Sequence, residues 1–227
     1  MREIVVDTET TGLDPNGGHR IIEIGCVEMW NRVKTGSVFH SYLNPERDIP
    51  EESFRIHGIS AEQVADKPLF AHITKEFLDF IGDSMLVIHN AGFDLKFLNH
   101  ELNRQNIKSI PADRAVDTLY MARKKFPGAP ANLDALCRKF NIDLGARTKH
   151  GALLDAHLLA DVYVELTGGR QAKMLLEEEV IAAEVSLAVT GSVTYRKFEP
   201  SLEEIAAHKE FLKKIKEPIW AVLETEA

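Results

Sequence analysis

The chain has 227 residues, of which 44% are hydrophobic and 27% are charged. That is enough apolar sequence for the core of one large domain, or of one domain with an appendage. The apolar runs are far shorter than the roughly 20 residues that cross a bilayer, which argues against a membrane-spanning helix. The first residues lead directly into a predicted strand, so we expect no signal peptide. The two cysteines, Cys26 and Cys137, lie in apolar surroundings, and we expect buried thiols in a cytoplasmic protein.

The net charge of −8 limits the partners that the chain can bind alone. Proteins that hold long nucleic acids are usually basic, because neutralising phosphates supplies much of the affinity. The basic runs in this chain are short, namely 123–125 and 213–214. We therefore expect any contact with nucleic acid to be weak and to cover a short stretch, with a partner protein supplying processivity.

The predicted elements begin with strands and continue as alternating strands and helices. Residues 2–9, 21–30 and 36–43 are predicted strands, and their order along the chain is typical of an antiparallel set. The later elements are a helix at 69–81, a strand at 85–90, a helix at 92–105, a further strand at 115–119, and helices at 132–142 and 152–166. Ser60 and Gln63 fit a capping box. This pattern predicts an α/β domain.

A change of composition at Gly168 and Gly169 divides the chain. Residues 170–198 lose clear periodicity, whereas the segment that follows Ser201 regains the spacing of an amphipathic helix. We therefore expect an α/β domain over 1–168, a flexible linker over 169–198 and a short docking segment over 199–227.

Two carboxylates stand at the end of the first apolar strand. Asp7 and Glu9 are two residues apart, so both side chains point to the same face of the strand. An isolated Asp7 could cap a turn, but two like charges on one face are unfavourable unless a cation lies between them. Hard divalent cations prefer oxygen ligands, so we interpret the pair as metal ligands.

Two further aspartates lie close to the starts of predicted helices. Asp94 follows the segment Asn90-Ala-Gly-Phe93, where an acid could instead stabilise the helix dipole. Asp155 lies early in the last helix of the domain, and His150 precedes it by five residues. A histidine with a pKa near neutrality can deprotonate a water molecule. Gly151 lets the chain fold His150 over the site, and we interpret His150 as a general base.

The segments that carry these residues resemble the motifs of the DEDDh family of 3′–5′ exonucleases. They are VVDTETTG, VIHNAGFDLKFL and KHGALLDAHLLADVY, in the order that the family has them and with its histidine. Flanking segments such as IIEIGCVE and NLDALC are similar to the proofreading (epsilon) branch of that family, which works in bacterial DNA polymerase III.

The resemblance implies a fold, a cofactor and a reaction. The fold is a ribonuclease H-like mixed sheet with flanking helices, followed by a flexible tail with a short helix. The cofactor is a pair of divalent metal ions, Mg²⁺ or Mn²⁺, held by Asp7, Glu9, Asp94 and Asp155. The reaction is hydrolysis at the 3′ end of DNA, which releases nucleoside 5′-monophosphates with His150 as the base. The substrate-binding residues that it implies are Asp7, Glu9, Thr10, His57, Phe93, His150 and Asp155. For His57, a plain turn residue beside Gly58 remains the alternative.

The tail carries two features of partner binding. Gln171, Met174 and Leu176 resemble the sliding-clamp-binding peptide of the proofreading branch, in which apolar residues enter a groove and the glutamine bonds at its rim. A frayed helix end is the alternative. A short amphipathic helix after Ser201 cannot bury its apolar face alone, so it either folds back on the catalytic domain or docks onto a partner. The resemblance implies docking onto the polymerase catalytic (alpha) subunit with Trp220 as an anchor.

Two other functions stay open at this point. An RNA-trimming exonuclease or an oligoribonuclease of the DEDDh family would share the same acids and histidine. A structural polymerase subunit with a decayed exonuclease is the non-enzymatic alternative. The presence of all five catalytic side chains speaks against decay, and the flanking segments favour proofreading.

Overall fold

The protein is described here by a computed structural model, which covers residues 1–145, 149–168 and 200–214. The chain divides into two units, Met1–Glu177 and Glu178–Ala227, and each is described by itself. Within these described ranges, we find no helix with both the length and the apolar character required to span a membrane.

The described part of the first unit is built on a five-stranded mixed sheet. Its strands are β1 (Arg2–Thr10), β2 (Ile21–Trp30), β3 (Val33–Tyr42), β4 (Met85–Ile88) and β5 (Ala115–Asp117). The order across the sheet is β3-β2-β1-β4-β5. The first three strands are antiparallel neighbours, whereas β4 pairs parallel with β1 and β5 pairs parallel with β4. The predicted antiparallel start and the predicted mixed sheet are both confirmed.

The helices of this unit follow and interleave with the strands. They are α1 (Glu51–His57), α2 (Ala61–Val64), α3 (Phe70–Ile81), α4 (Ala91–Asn103), α5 (Thr118–Lys125), α6 (Leu133–Lys139) and α7 (Ala152–Leu166). Short 3₁₀ turns span Pro15–Gly17 and Ala112–Arg114. The capping box predicted at Ser60 is present, since its side chain accepts from the Gln63 N–H and the Gln63 side chain accepts from the Ser60 N–H.

Alternate residues of β1 face two different layers of helices. Ile4 and Val6 belong to the larger core, which also contains residues of α3 and α4. Val5 belongs to a second core, with Leu159 and Tyr163 of α7. Because side chains alternate along a strand, the residues that follow must continue these two series. The last residues of β1 therefore face the α3 and α4 layer and the α7 layer alternately.

Two helices differ from the predicted elements. The strand predicted at 115–119 ends at Asp117, whose side chain accepts hydrogen bonds from the N–H groups of Leu119 and Tyr120 and so starts α5. Helix α1 has seven residues, most of them at least partly exposed, which leaves little periodicity to detect. Helices this short depend on tertiary contacts for their stability, and single-sequence patterns do not report those contacts.

The described part of the second unit contains helix α8 (Leu202–Leu212). It starts as predicted at Ser201, whose hydroxyl accepts from the Glu204 N–H in a capping box. The predicted linker lies almost entirely outside the described residues, so the division into 1–168, 169–198 and 199–227 stays a prediction.

Candidate active site

The acidic residues lie together at one edge of the sheet. Strands β1, β4 and β5 are parallel, so their carboxyl ends lie at the same edge. The last residues of β1 include Asp7 and Glu9, β4 leads into the helix that carries Asp94, and β5 ends at Asp117. The topology therefore brings together acids that are more than a hundred residues apart in the chain.

Asp7 and Glu9 continue the series of β1 residues that faces α7. In the antiparallel register Asp7 lies opposite Gly25 of β2, and Glu9 lies opposite Glu23. Burial raises the pKa of Asp7 well above its usual value, and the charges of Asp94, Glu9, Asp155 and Glu23 raise it further. A carboxylate surrounded by four others is a site that a cation stabilises.

Asp94 reaches this edge from the opposite layer. Helix α4 begins after Asn90, which takes the left-handed conformation at φ 65°, and Asp94 is buried in the first turns of the helix. The hydroxyl of Thr8 donates a hydrogen bond of 2.7 Å to Oδ1 of Asp94. Thr8 belongs to the β1 series that faces α4, which explains why the contact is possible. Burial raises the pKa of Asp94 to about 7, although the Thr8 bond lowers it.

Asp155 and His150 come from the start of α7, which packs against β1 and β2. Asp155 is buried, and its Oδ2 lies 3.0 Å from Nδ1 of His150. One side-chain donor atom from each of Glu9, His150 and Asp155 lies within 4.8 Å of the others. The N–H of His150 also donates to the carbonyl oxygen of Ile56, 3.3 Å away, which ties its loop to α1.

The other predicted substrate residues lie on three different elements. Thr10 is buried at the end of β1, and its hydroxyl donates to the Gly12 carbonyl at 2.7 Å. Phe93 is partly buried in the first turn of α4, with its ring centre 5.1 Å from that of Phe97. His57, the third of them, ends α1.

His57 is the last residue of α1 and is 5% exposed. Its Nδ1 accepts a 2.9 Å hydrogen bond from the Ile59 N–H, so in the neutral ring the proton is on Nε2. Nε2 is buried and has no hydrogen-bond partner among the described residues. Burial, together with the charges of Lys149 and His150, lowers the pKa of His57 to about 4. A buried N–H donor of this kind is more than a plain turn residue requires.

Sequence reasoning overlooked two residues at this edge. Thr8 stands between Asp7 and Glu9, and a hydroxyl flanked by acids could have been recognised as a second layer of hydrogen bonds. Glu23 is 2% exposed in a strand of mostly apolar residues. A charged residue within an apolar run requires a partner, and that requirement was the available signal.

The predicted partner-binding residues are outside the part of the chain that the structure describes. They are Gln171, Met174, Leu176 and Trp220.

The donor set fits a hard divalent cation. Carboxylate oxygens with one neighbouring imidazole are the ligands of Mg²⁺ and Mn²⁺ in proteins, whereas soft cations select thiolates. Burial raises the pKa values of Asp7 and Asp94, and the charges of the neighbouring carboxylates add to the shift at Asp7, so ionising both residues without a cation is unfavourable. Divalent ions held by Asp7, Glu9, Asp94 and Asp155 would remove that cost.

Comparisons with known proteins agree with this geometry. Residues 4–163 match the RNase T family model, which describes an exonuclease. The chain is 54% identical over 224 residues to the DNA polymerase III subunit epsilon of Rickettsia felis, covering 95% of this chain and 97% of the relative. It is 44% identical over 230 residues to the protein of the same name from Haemophilus influenzae, covering 93% and 90% of the two chains.

Solved structures share the fold at lower identity. The nuclease domain of 3′hExo, a DEDDh family member bound to rAMP, aligns with a TM-score of 0.63 and 22% identity, covering 74% of this chain and 92% of that chain. Exonuclease X in complex with 5′ overhanging duplex DNA aligns with a TM-score of 0.57 and 24% identity, covering the same shares. At this identity the likeness shows the ribonuclease H-like exonuclease fold, as predicted.

Proposed function

This chain belongs to the exonuclease family and, within it, to the DNA polymerase III epsilon subunits, and on that premise we propose that it removes mispaired nucleotides from the 3′ end of DNA. One observation carries the proposal. Four carboxylates from β1, α4 and α7 meet at one edge of the sheet, with His150 hydrogen-bonded to one of them.

The cofactor in this proposal is a pair of Mg²⁺ or Mn²⁺ ions held by Asp7, Glu9, Asp94 and Asp155. When bound, such ions polarise a phosphodiester and neutralise the charge that develops on its oxygens. The carboxylates would fix the positions of these ions, since they lie on a central strand and on two packed helices. Sites on rigid elements hold reacting groups with the precision that hydrolysis requires.

His150 is the general base of the reaction. It accepts a proton from the attacking water, whose oxygen bonds to the terminal phosphorus. The bond from that phosphorus to the 3′ oxygen of the preceding nucleotide breaks, which releases a nucleoside 5′-monophosphate and leaves a new 3′ hydroxyl. The contact between His150 and Asp155 orients the imidazole beside the carboxylates.

Three residues outside the acid cluster bind the terminal nucleotide in this proposal. The buried Nε2–H of His57 is a donor for a phosphate or sugar oxygen, because the described residues leave it without an acceptor. Phe93 offers a partly buried ring against the terminal base. Thr10 contributes the backbone of the turn that follows Glu9.

The partners in this proposal are the polymerase catalytic (alpha) subunit and the sliding clamp, and the protein would act in the cytoplasm. The net charge of −8 supports dependence on partners, because an acidic chain holds DNA weakly on its own.

Substituting Gln171, Met174 and Leu176 by Ala should weaken clamp binding and spare the digestion of single strands. Deleting 199–227 should abolish binding to the alpha subunit and leave the exonuclease active. Retained binding after either change would contradict the corresponding contact.

Proofreading itself is tested with two primer–template duplexes that differ in the last base pair of the primer. A frayed mismatched end presents a single strand to the site, so we expect faster release of the terminal nucleotide from the mismatched primer. Equal rates on the two duplexes would contradict a proofreading role while leaving the exonuclease intact.

A further inference from the structure

Helix α7 begins without a cap of its own. Its N-cap residue is Gly151, which has no side chain with which to accept a hydrogen bond. The first N–H group of the helix, that of Ala152, donates instead to Oε2 of Glu23 at 3.1 Å. Glu23 lies on β2, 129 residues earlier in the chain, and is almost completely buried. A strand residue therefore provides the cap that the helix lacks.

The carboxylate of Glu23 is held from its other side. Its Oε1 lies 2.7 Å from Nε2 of His40 on β3. In the strand register Tyr42 lies directly opposite Glu23, and the rings of His40 and Tyr42 pack edge to face with centres 5.0 Å apart. Both carboxylate oxygens of Glu23 thus have a partner, and the side chain has one defined position.

Gly25 of β2 allows the first turn of α7 to pack directly against the strand. A Cβ atom at this position would lie 2.3 Å from the backbone of Ala152 and Leu153. Glu23 and Gly25 are two residues apart and share a face of β2, so together they seat the first turn of α7. His150 lies two residues before that turn, and Asp155 lies within it.

We propose that Glu23 is a positioning residue, which acts as the tertiary N-cap of α7 and sets Asp155 and His150 against Asp7 and Glu9. The inference rests on the proposed nuclease function for its kinetic consequence, but the cap itself does not depend on catalysis. Glu23 faces Glu9 across the strand pair, which could suggest a fifth metal ligand. Its two oxygens are instead engaged by the Ala152 N–H and by His40.

The test compares Glu23→Ala, Glu23→Gln and His40→Ala with the wild type, using kcat and KM for release of nucleotides from a labelled single strand. Glu23→Gln keeps an oxygen that can accept from the Ala152 N–H, and we expect its kcat to stay within about threefold of the wild type. Glu23→Ala should lower kcat by about 10- to 100-fold at nearly unchanged KM, as is usual for residues that orient metal ligands. The kcat of His40→Ala should lie between those of Glu23→Gln and Glu23→Ala. Glu28→Ala is the matched control, since it also removes a paired carboxylate from β2 but near the opposite end of the strand from Glu23.

Two measurements keep the outcome independent of turnover. Amide hydrogen exchange at Ala152 should accelerate at least tenfold in Glu23→Ala and stay slow in Glu23→Gln. Titration with Mn²⁺ should give the wild-type affinity for Glu23→Gln.

If Glu23→Gln loses as much activity and Mn²⁺ affinity as Glu23→Ala, Glu23 is a ligand and the proposal is wrong. If Glu23→Ala keeps the wild-type kcat and a protected Ala152 amide, the proposal is also wrong. If Glu23→Ala does not fold, the other two variants test the proposal. A near-wild-type kcat for Glu23→Gln with a lower kcat for His40→Ala supports it, and a wild-type kcat for His40→Ala contradicts it. A wild type without nuclease activity would overturn the proposed function, and the exchange data would still test the cap.

Discussion

Nδ1 of His150 lies 3.0 Å from Oδ2 of Asp155, which joins the proposed base directly to a proposed metal ligand. The two residues are five positions apart, and the turn between them is the start of α7. If Nδ1 carries the proton and donates it to Asp155, the lone pair of the neutral ring is on Nε2. That is the arrangement in which an imidazole can accept a proton from water.

Replacing His150 by Ala should lower kcat by about 10²- to 10⁴-fold, because the loss of a general base removes a contribution of that size. Mn²⁺ affinity should change little, since the four carboxylates remain. Single-turnover digestion of a labelled single strand and a Mn²⁺ titration measure the two effects. Retention of most activity at neutral pH would show that another group takes the proton.

Replacing Thr8 by Val should weaken metal binding without touching a ligand. The hydroxyl of Thr8 donates to Asp94 at 2.7 Å, and its loss should raise the pKa of Asp94 further and lower Mg²⁺ affinity by about tenfold. Thr8→Ser keeps the hydroxyl and serves as the control. The Mg²⁺ dependence of the exonuclease rate reports the affinity. Identical Mg²⁺ curves for Thr8→Val and the wild type would mean that the hydrogen bond does not support the ligand.

Asp94 should make the metal-free protein less stable as the pH rises. Its pKa is about 7 in the folded state against an ordinary value of 3.8, so its contribution to stability is complete below pH 3.8 and is lost as the pH rises through about 7. Asp94→Asn stays neutral and escapes this loss. In EDTA we expect the Tm advantage of Asp94→Asn over the wild type to grow between pH 5 and pH 8, to about 5 °C or more.

The comparison must use the difference between these two proteins, because His57 acts in the opposite direction. Its folded pKa of about 4 lies below the ordinary 6.5, so its contribution to stability is present above pH 6.5 and is lost as the pH falls towards 4. The contribution of His57 to stability is the same in both proteins and cancels in the difference. Adding Mn²⁺ should stabilise the wild type more than Asp94→Asn. Parallel Tm curves from pH 5 to 8 would contradict the assignment.

Replacing Gly25 by Ala should damage both stability and activity. The added Cβ would meet the backbone of Ala152 and Leu153 at 2.3 Å, so the first turn of α7 must move. We expect a loss of about 1–3 kcal/mol or more in the free energy of unfolding, with a fall in kcat because Asp155 moves with the turn. Gly17→Ala is the control, since its nearest neighbouring atom would be 3.9 Å away. Urea unfolding and single-strand digestion measure the two effects, and a Gly25→Ala protein that matches Gly17→Ala in both would refute the close packing.

The sequence predicted the parts of the site that depend on local pattern. Asp7 and Glu9 lie on one face of β1, as a period of two requires, and the structure places Asp94 and Asp155 in the first turns of their helices. Their convergence follows from a parallel arrangement that the α/β pattern favours but does not specify. The family resemblance supplied that step, and the catalytic roles stay predictions.

The remaining features depend on contacts between distant residues. Glu23 caps a helix that begins 129 residues later, and Thr8 meets Asp94 after 86 residues. Such pairs are decided by how the layers pack, and no period in the sequence encodes them. The predicted strand at 115–119 extends past its observed end at Asp117 for a local reason. An aspartate can be the last residue of a strand and also the N-cap of the helix that follows.

The central claim is metal-dependent removal of nucleotides from the 3′ end of DNA by the acid cluster. The most direct test uses a labelled single-stranded DNA and the equivalent RNA, each with Mg²⁺ or with EDTA, for the wild type and Asp7→Ala. We predict stepwise 3′–5′ shortening of the DNA with Mg²⁺, and none with EDTA or with Asp7→Ala. A clear preference for the RNA would assign the chain to RNA trimming instead, and no activity on either strand would contradict the enzymatic account.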